Sequence, residues 1–290
     1  MPEDALITVI IPTFNNRVQV ELCLRSMRSC TRRAYRVIVK DNGSTDGTVE
    51  FLHATGLADL VLRSTANDID NIESKAYDAT IRDHVTTPFF LVCHSDIVFL
   101  EPDWVEDVLA AAGEDEANVL GGSIFPSSFT GHWILGRWLS PWYAWGRTEA
   151  FRRLDLTWRR RFPDWCAPRL SEFSAYFDEA LIAAHPEAPL FWEHGGFLTA
   201  QVERHGARIV DRQPKAFHIG DMTGSVVKAT LYPDEPDVPH RLARSRAIRR
   251  IIVDTLAASY GDGADFRQAC RNIAAFALDQ DLPQLRHFRT

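Results

Sequence analysis

Apolar residues in the first 125 positions come in short runs of two alternating kinds. "LITVII" (6–11), "YRVIVK" (35–40), "DLVLRS" (59–64), "PFFLVC" (88–93) and "NVLGGSIF" (118–125) are brief and rich in β-branched or aromatic residues, as buried strands are. Between them, "VQVELCLRSM", "TVEFLHAT", "NIESKAYDATIRDH" and "DWVEDVLAAA" carry their apolar residues at helical spacing. Val20, Leu24 and Met27 stand at i, i+4 and i+7 and predict the buried stripe of the first helix. Strand and helix alternating at this interval predict an α/β fold, a mostly parallel central sheet flanked by helices.

The texture changes at residues 131–165, which hold six of the eight tryptophans, many arginines and little periodicity, and so predict a long, shaped loop region. Beyond it, "FLTAQVERHG" reads as a short helix ending at Gly206, and "ARIV" and "AFHI" read as strands. Pro233, Pro236 and Pro239 break regular structure and mark a linker. Two amphipathic helices, "RLARSRAIRRIIVDTLAAS" and "ADFRQACRNIAAFAL", form a C-terminal helical extension.

With 290 residues, 46% hydrophobic and 24% charged, the chain can bury a substantial core in one large or two smaller domains. A net charge of −7 argues against sequence-independent nucleic-acid binding, which needs a basic face. Five cysteines without a C-x-x-C pair suggest neither a disulfide framework nor a thiolate zinc site, and point to a reducing setting. The N-terminus lacks a basic n-region and no apolar run is long enough to span a bilayer, so a cytoplasmic protein is expected.

The stretch "RVIVKDNGSTDGTVEFL" raises the question of what its Asn-Gly does. That step is a strong hairpin signal between two strands, but the Val49, Leu52 and His53 spacing after it is helical, so the turn joins a strand to a helix. Such a turn lies at the carboxyl end of a strand, where open α/β sheets place their ligands. Asp46 or Ser44 can cap the helix, and Glu50 suits the positive end of its dipole. Neither a dinucleotide glycine fingerprint, nor a P-loop, nor H-E-x-x-H occurs.

Five motifs remain: "VIIPTFNN", "VKDNGSTDGT", "LVCHSDIVF", "FWEHGGF" and "KAFHIGD". Together they resemble the family 2 glycosyltransferases of the GT-A fold, over roughly residues 5 to 220 and most closely in the first two motifs. The resemblance implies a nucleotide-sugar donor, a divalent cation (Mn²⁺ or Mg²⁺), a carbohydrate or other hydroxyl-bearing acceptor, and inversion at the anomeric carbon. It also implies a division into a nucleotide-sugar-binding half (1–125), an acceptor-binding and catalytic half of the same domain (126–232) and a helical extension (240–290).

Carried onto this chain, the resemblance places Pro12, Thr13 and Phe14 beside the base. A carboxylate at Asp41 can accept the imide N–H of uracil or thymine, which favours a UDP- or dTDP-sugar, while Asp46 fits a structural turn better. Asp96 keeps the final position of the family's Asp-x-Asp, and His94 replaces its first aspartate. Asp96 and His218 with phosphate oxygens would form the cation site. Glu193 and His194 occupy the family's acidic pair; either can be the base that deprotonates the acceptor. Gly195 and Gly196 would let backbone approach a sugar. Asp178 and Glu179 would shape the acceptor site, or belong to a solvated turn. Trp133, Trp138, Trp142, Trp145, Trp158 and Trp165 offer flat faces for sugar rings, or serve as ordinary core. Arg159, Arg160 and Arg161 read as a solvated face, or as contacts to an acidic acceptor. The rival readings are a non-catalytic sugar- or nucleotide-binding relative, and a sugar-1-phosphate nucleotidyltransferase, whose glycine-rich loop is missing.

Overall fold

The computed structural model describes residues 4–64, 72–126, 137–158, 194–220, 238–258 and 264–279. In chain order these form β1 (Ile7–Thr13), α1 (Arg17–Ser29), β2 (Arg36–Asp41), α2 (Thr48–Thr55), β3 (Leu60–Arg63), α3 (Ile72–Asp83) and β4 (Phe89–Cys93). There follow β5 (Ile97–Phe99), α4 (Trp104–Ala112), β6 (Asn118–Pro126), β7 (Arg137–Arg147) and α5 (Thr148–Arg153). The last elements are α6 (His194–Arg204), β8 (Arg208–Asp211), β9 (Ala216–His218), α7 (Val238–Ala258) and α8 (Ala264–Asp279).

Seven strands form one sheet in the order β3-β2-β1-β4-β7-β6-β8, and β5 pairs with β9 in a separate ribbon. Only β7 runs against its neighbours in the large sheet, so the sheet is mostly parallel, as the alternation predicts. Both faces are buried, which is why its strands read as continuous apolar runs. Ile7, Val9 and Ile11 of β1 pack on one face with α1 and α4; Ile10 packs on the other with Tyr77 of α3 and Phe151 of α5.

The stripe Val20, Leu24 and Met27 is buried against the sheet as expected. α1 also carries a second stripe, Val18 and Leu22, which packs with Val98 of β5, Ile248 and Ile252 of α7, and Cys270 and Ile273 of α8. The C-terminal helices therefore lie on the back of α1. Arg244 of α7, itself buried, donates to the carbonyls of Ile219 and Gly220 at 3.0 Å each, gripping the chain just after β9. No described helix is long and apolar enough to cross a membrane.

The structure departs from the sequence expectation at residues 137–147, where a strand of eleven residues, β7, replaces the anticipated loop. Its periodicity is hidden because both its faces are covered: Trp142, Tyr143 and Trp145 enter one core, Leu139 and Ala144 the other. Pro141 is tolerated because the ladder is irregular around it. Ala144 pairs with Gly122, but Leu139 pairs with Ile124, so extra residues loop out of β7 where no ladder donor is required. The strand matters to the site, as described below.

Cys23, Cys30, Cys93 and Cys270 are free and buried. Burial pushes the thiols of Cys30 and Cys93 up, and that of Cys270 to about 12, so these residues stay protonated packing groups.

Candidate active site

The sheet order places β2 and β3 on one side of β1 and β4 on the other, so the winding direction reverses between β1 and β4. Crevices at such a reversal, at the carboxyl ends of the strands, are the ligand sites of open α/β sheets. Here β1 pairs with β2 as far as Thr13↔Asp41, whereas its pairing with β4 stops at Ile10↔Val92. Pro12 falls beyond that stop. Thr13 aims its carbonyl at the amide of Asn42, 2.9 Å away on the β2 side, so the alternate residue Pro12 faces the β4 side, where no ladder bond is lost. Thr13 and Phe14 are buried at this edge.

The turns after β1 and β2 are laced together. The amide of Asn15 donates to Ser44 Oγ at 2.9 Å, and Asn15 Oδ1 accepts the amide of Thr45 at 2.8 Å. Ser44 therefore ties the two turns, and does not cap α2. Asp46 joins two helix starts: Oδ2 accepts the amide of Arg17, the first residue of α1, at 3.0 Å, and Oδ1 accepts that of Thr48, the first of α2, at 3.2 Å. Val49 and Leu52 are buried beneath the turn, whereas His53 of the anticipated stripe is exposed. Asp46→Ala should cost about 1–3 kcal/mol, since two helix termini lose an acceptor worth about 1 kcal/mol each. Asp46→Asn keeps an acceptor oxygen and should cost less. Urea midpoints of the two variants check the ordering.

Asp41 has no exposed surface. Its carboxylate closes a turn of its own, Oδ2 accepting the amides of Gly43 and Ser44 at 3.1 and 3.0 Å. Oδ1 receives only the longer branch from Ser44, at 3.3 Å. Arg63, at the end of β3, lies with Nε 3.8 Å from the carboxylate. The Asx-type turn expected of Asp46 is thus made by Asp41 as well. A carboxylate offers about four lone-pair directions, so Oδ1 retains capacity for another donor.

At the end of β4 three side chains of types that can ligate a metal converge. His94 Nδ1 lies 3.2 Å from His218 Nε2, and His218 Nε2 lies 3.1 Å from Asp96 Oδ1. The three donor atoms fall within 4.8 Å of one another. β5 and β9 create the meeting: Ile97 pairs with His218, and the amide of Ile219 donates to the carbonyl of Asp96 at 3.0 Å. β7 supplies the backing. The carbonyl of Trp142 accepts the amide of His94 at 3.1 Å, and the Trp142 indole stacks on the His218 ring, with centroids 5.3 Å apart and planes 4° from parallel. Cations bound with bonds of about 2.0–2.2 Å set adjacent ligands about 3 Å apart. Two imidazoles and a carboxylate at these separations suit a divalent ion.

The cluster is linked to the turn after β1. Asn16 Nδ2 donates to Ser95 Oγ, and Asn16 Oδ1 accepts from Thr13 Oγ1, so one buried amide joins the end of β1 to the His94–Asp96 segment. Sequence reasoning gives Asn16 only a place in the turn after the first strand, and no role to Ser95 or Arg244. The doubled asparagine after Phe14 was the available signal for Asn16; nothing in local pattern marks the other two.

His194 opens α6, and Glu193 lies just outside the described residues. The glycine after His194 serves packing, contrary to the expected approach of a sugar. A Cβ on Gly195 would come within 1.5 Å of the carbonyl oxygen of Leu139, so α6 crosses β7 at backbone contact. Thr199 Oγ1 fastens the crossing, donating to the carbonyl of Gly195 at 2.6 Å and accepting the amide of Leu139 at 2.9 Å. α6 thus starts at the sheet edge that carries Trp142. Trp138, Trp142, Trp145 and Trp158 are buried, which favours the core reading over sugar faces. Trp133, Trp165, Asp178, Glu179 and Arg159 to Arg161 lie outside the described residues.

The sequence model of the family described as glycosyl transferase family 2 matches residues 8–174. No curated protein matches the chain. Among solved structures it is similar to a mannosyltransferase from Pyrobaculum calidifontis in complex with GDP-Man and Mn²⁺, at 13% identity and a TM-score of 0.49, covering 99% of this chain and 79% of that one. It is also similar to glucosyl-3-phosphoglycerate synthase from Mycobacterium tuberculosis in complex with Mn²⁺, UDP and glucosyl-3-phosphoglycerate, at 18% identity, TM-score 0.47, and 78% and 79% coverage. A third is S. aureus TarS (residues 1–349) with UDP-GlcNAc, at 18% identity and TM-score 0.41; the match covers 54% of this chain and 48% of that one.

Proposed function

The chain belongs to glycosyl transferase family 2, and from that premise we propose that it moves a sugar from a UDP- or dTDP-sugar to an acceptor hydroxyl. The transfer is a direct displacement that inverts the anomeric carbon. The observation that carries this reading is the convergence of His94, Asp96 and His218 at the sheet's reversal point, tied through Asn16 to the turn bearing Thr13 and Phe14.

Each residue has a task in this reading. Pro12, Thr13 and Phe14 line the base, and Asp41 Oδ1, which retains capacity for another donor, accepts the imide N–H. Asp96 and His218 hold a divalent cation, Mn²⁺ or Mg²⁺. A bound cation supplies Lewis-acid neutralisation of the charge that gathers on a departing diphosphate. Glu193 or His194, at the start of α6, takes the proton of the acceptor hydroxyl as its oxygen attacks the anomeric carbon. The acceptor is carbohydrate or another hydroxyl compound, chosen largely by residues 131–192.

A thermal-shift panel of UDP, dTDP, GDP and CMP, each with and without Mn²⁺, tests the donor assignment. Binding to the folded state at about 100 times Kd stabilises by about 2.7 kcal/mol, and UDP or dTDP with Mn²⁺ should therefore raise the Tm by about 5–10 °C. A rise with GDP alone would reject the role of Asp41 and leave transfer standing. No rise with any nucleotide would reject the donor reading altogether. Release of UDP or dTDP that depends on an acceptor then separates transfer from binding without turnover.

A further inference from the structure

We propose that His94 is itself a ligand of the cation, so that the chain holds its metal on two imidazoles and one carboxylate and prefers first-row transition ions, Co²⁺ and then Mn²⁺, over Mg²⁺. The inference rests on the reading that Asp96 and His218 hold a cation, and adds what the histidine at position 94 does there.

Geometry is the first support. His94 Nδ1 is as close to His218 Nε2, at 3.2 Å, as that nitrogen is to Asp96 Oδ1, at 3.1 Å. Both separations match neighbouring ligands of one ion with bonds of about 2.0–2.2 Å. The ring of His94 also stands edge-on to that of His218, with centroids 5.1 Å apart and planes at 69°, so the two imidazoles meet at their nitrogens and are not stacked.

The second support is how the two rings are held. The main chain of His94 is fixed on both sides, its amide donating to the Trp142 carbonyl at 3.1 Å and its carbonyl facing Cys23 Sγ at 3.8 Å. The His218 ring lies flat on the Trp142 indole, and Arg244 grips the two carbonyls that follow it. Trp142 therefore registers both histidines at once. Groups behind metal-ligating histidines fix ring orientation and tune affinity, and here main-chain bonds and the Trp142 face supply that support.

The donor set decides the preference. Mg²⁺ seeks hard oxygen ligands and keeps its water, whereas imidazole nitrogen favours the later first-row divalent ions. A neutral imidazole in place of a carboxylate also leaves the loaded site one charge more positive, which strengthens its pull on a diphosphate. The site gains nucleotide attraction and loses the oxygen-rich character that would hold Mg²⁺.

The test uses the full chain, stripped with a chelator and titrated with Mn²⁺, Co²⁺ and Mg²⁺ in a calorimeter, with and without UDP. Pulsed electron paramagnetic resonance of bound Mn²⁺ counts the coordinated imidazole nitrogens. The wild-type protein should show two nitrogens and bind Mn²⁺ at least about tenfold more tightly than Mg²⁺. His94→Ala should show one nitrogen and bind Mn²⁺ about 10–100-fold more weakly. His94→Asp should bind both ions and move the preference toward Mg²⁺. Circular dichroism and melting of His94→Ala and His94→Asn establish that the variants are folded; if alanine does not fold, asparagine gives the nitrogen count. One nitrogen in the wild-type protein, or unchanged Mn²⁺ affinity in the His94 variants, overturns the role of His94 while the Asp96–His218 site stands. Unchanged affinity in both Asp96→Ala and His218→Ala overturns that site, and the inference with it.

Discussion

Asp96→Asn is expected to lower sugar transfer by about 10²–10³-fold while leaving the fold nearly as stable as before. Asparagine keeps the size of the side chain and an oxygen that can accept from His218, whose Nε2 lies 3.1 Å from Asp96 Oδ1. It removes the anionic ligand. Asp96 is 4% exposed, and its backbone carbonyl separately binds the amide of Ile219 at 3.0 Å, so the β5–β9 ribbon has support that the substitution does not touch. The effect should therefore fall on function: loss of one group that stabilises developing charge typically costs about 10²–10³ in kcat. The same variant should lose the Mn²⁺-dependent part of its thermal shift with UDP. Steady-state transfer and melting curves on one preparation separate the two outcomes. Wild-type turnover by Asp96→Asn would remove Asp96 from the site; a large fall in Tm with turnover per folded molecule intact would make it a structural residue.

The sequence and the structure agree most where periodicity is undisturbed. α2 covers the anticipated "TVEFLHAT", and the stripe of Val20, Leu24 and Met27 faces the core. Short-range chemistry was legible as well: the Asn-Gly step does join a strand to a helix, and Asp46 does organise helix starts. What escaped were contacts whose partners are distant in sequence. β7 is buried on both sides and interrupted at Pro141, so neither strand alternation nor helical spacing marks it. Yet it stands between β4 and β6, supports His94 and His218 through Trp142, and receives α6 at Leu139. Tryptophan 142 was legible as an aromatic of uncertain use. Its use is to present a flat face to a histidine 76 positions later, a relation no local pattern encodes. The histidine in place of an aspartate at position 94 was legible only as a departure from the family's motif, because its nearness to His218 arises only when β9 pairs with β5.

That dependence of the site on β7 makes Gly195→Ala the second large effect. An alanine Cβ would lie 1.5 Å from the Leu139 carbonyl oxygen and 2.6 Å from its carbon, both backbone atoms, so a side-chain rotation cannot relieve the clash. α6 must move off the strand. In moving, it breaks the bridge by which Thr199 Oγ1 joins the Gly195 carbonyl at 2.6 Å to the Leu139 amide at 2.9 Å. Overpacking typically costs about 1–3 kcal/mol, and a buried amide left without its acceptor about 1–3 kcal/mol more. A Tm lower by about 5–15 °C follows from a loss of that size. Thr199→Val isolates the second term and should cost less, and Thr199→Ser, which keeps the hydroxyl, less again. Transfer separates packing from catalysis. α6 begins with His194, directly after Glu193, so a displaced helix misplaces whichever of the two serves as base. Well below its melting point, Gly195→Ala should bind Mn²⁺ as the wild type does, because the helix moves while β7 keeps its pairing with β4 and β6 and with it the Trp142 support of His94 and His218, yet turn over at least about tenfold more slowly. Normal turnover per folded molecule would show that the start of α6 takes no part in the chemistry, and would remove Glu193 and His194 as candidates for the base.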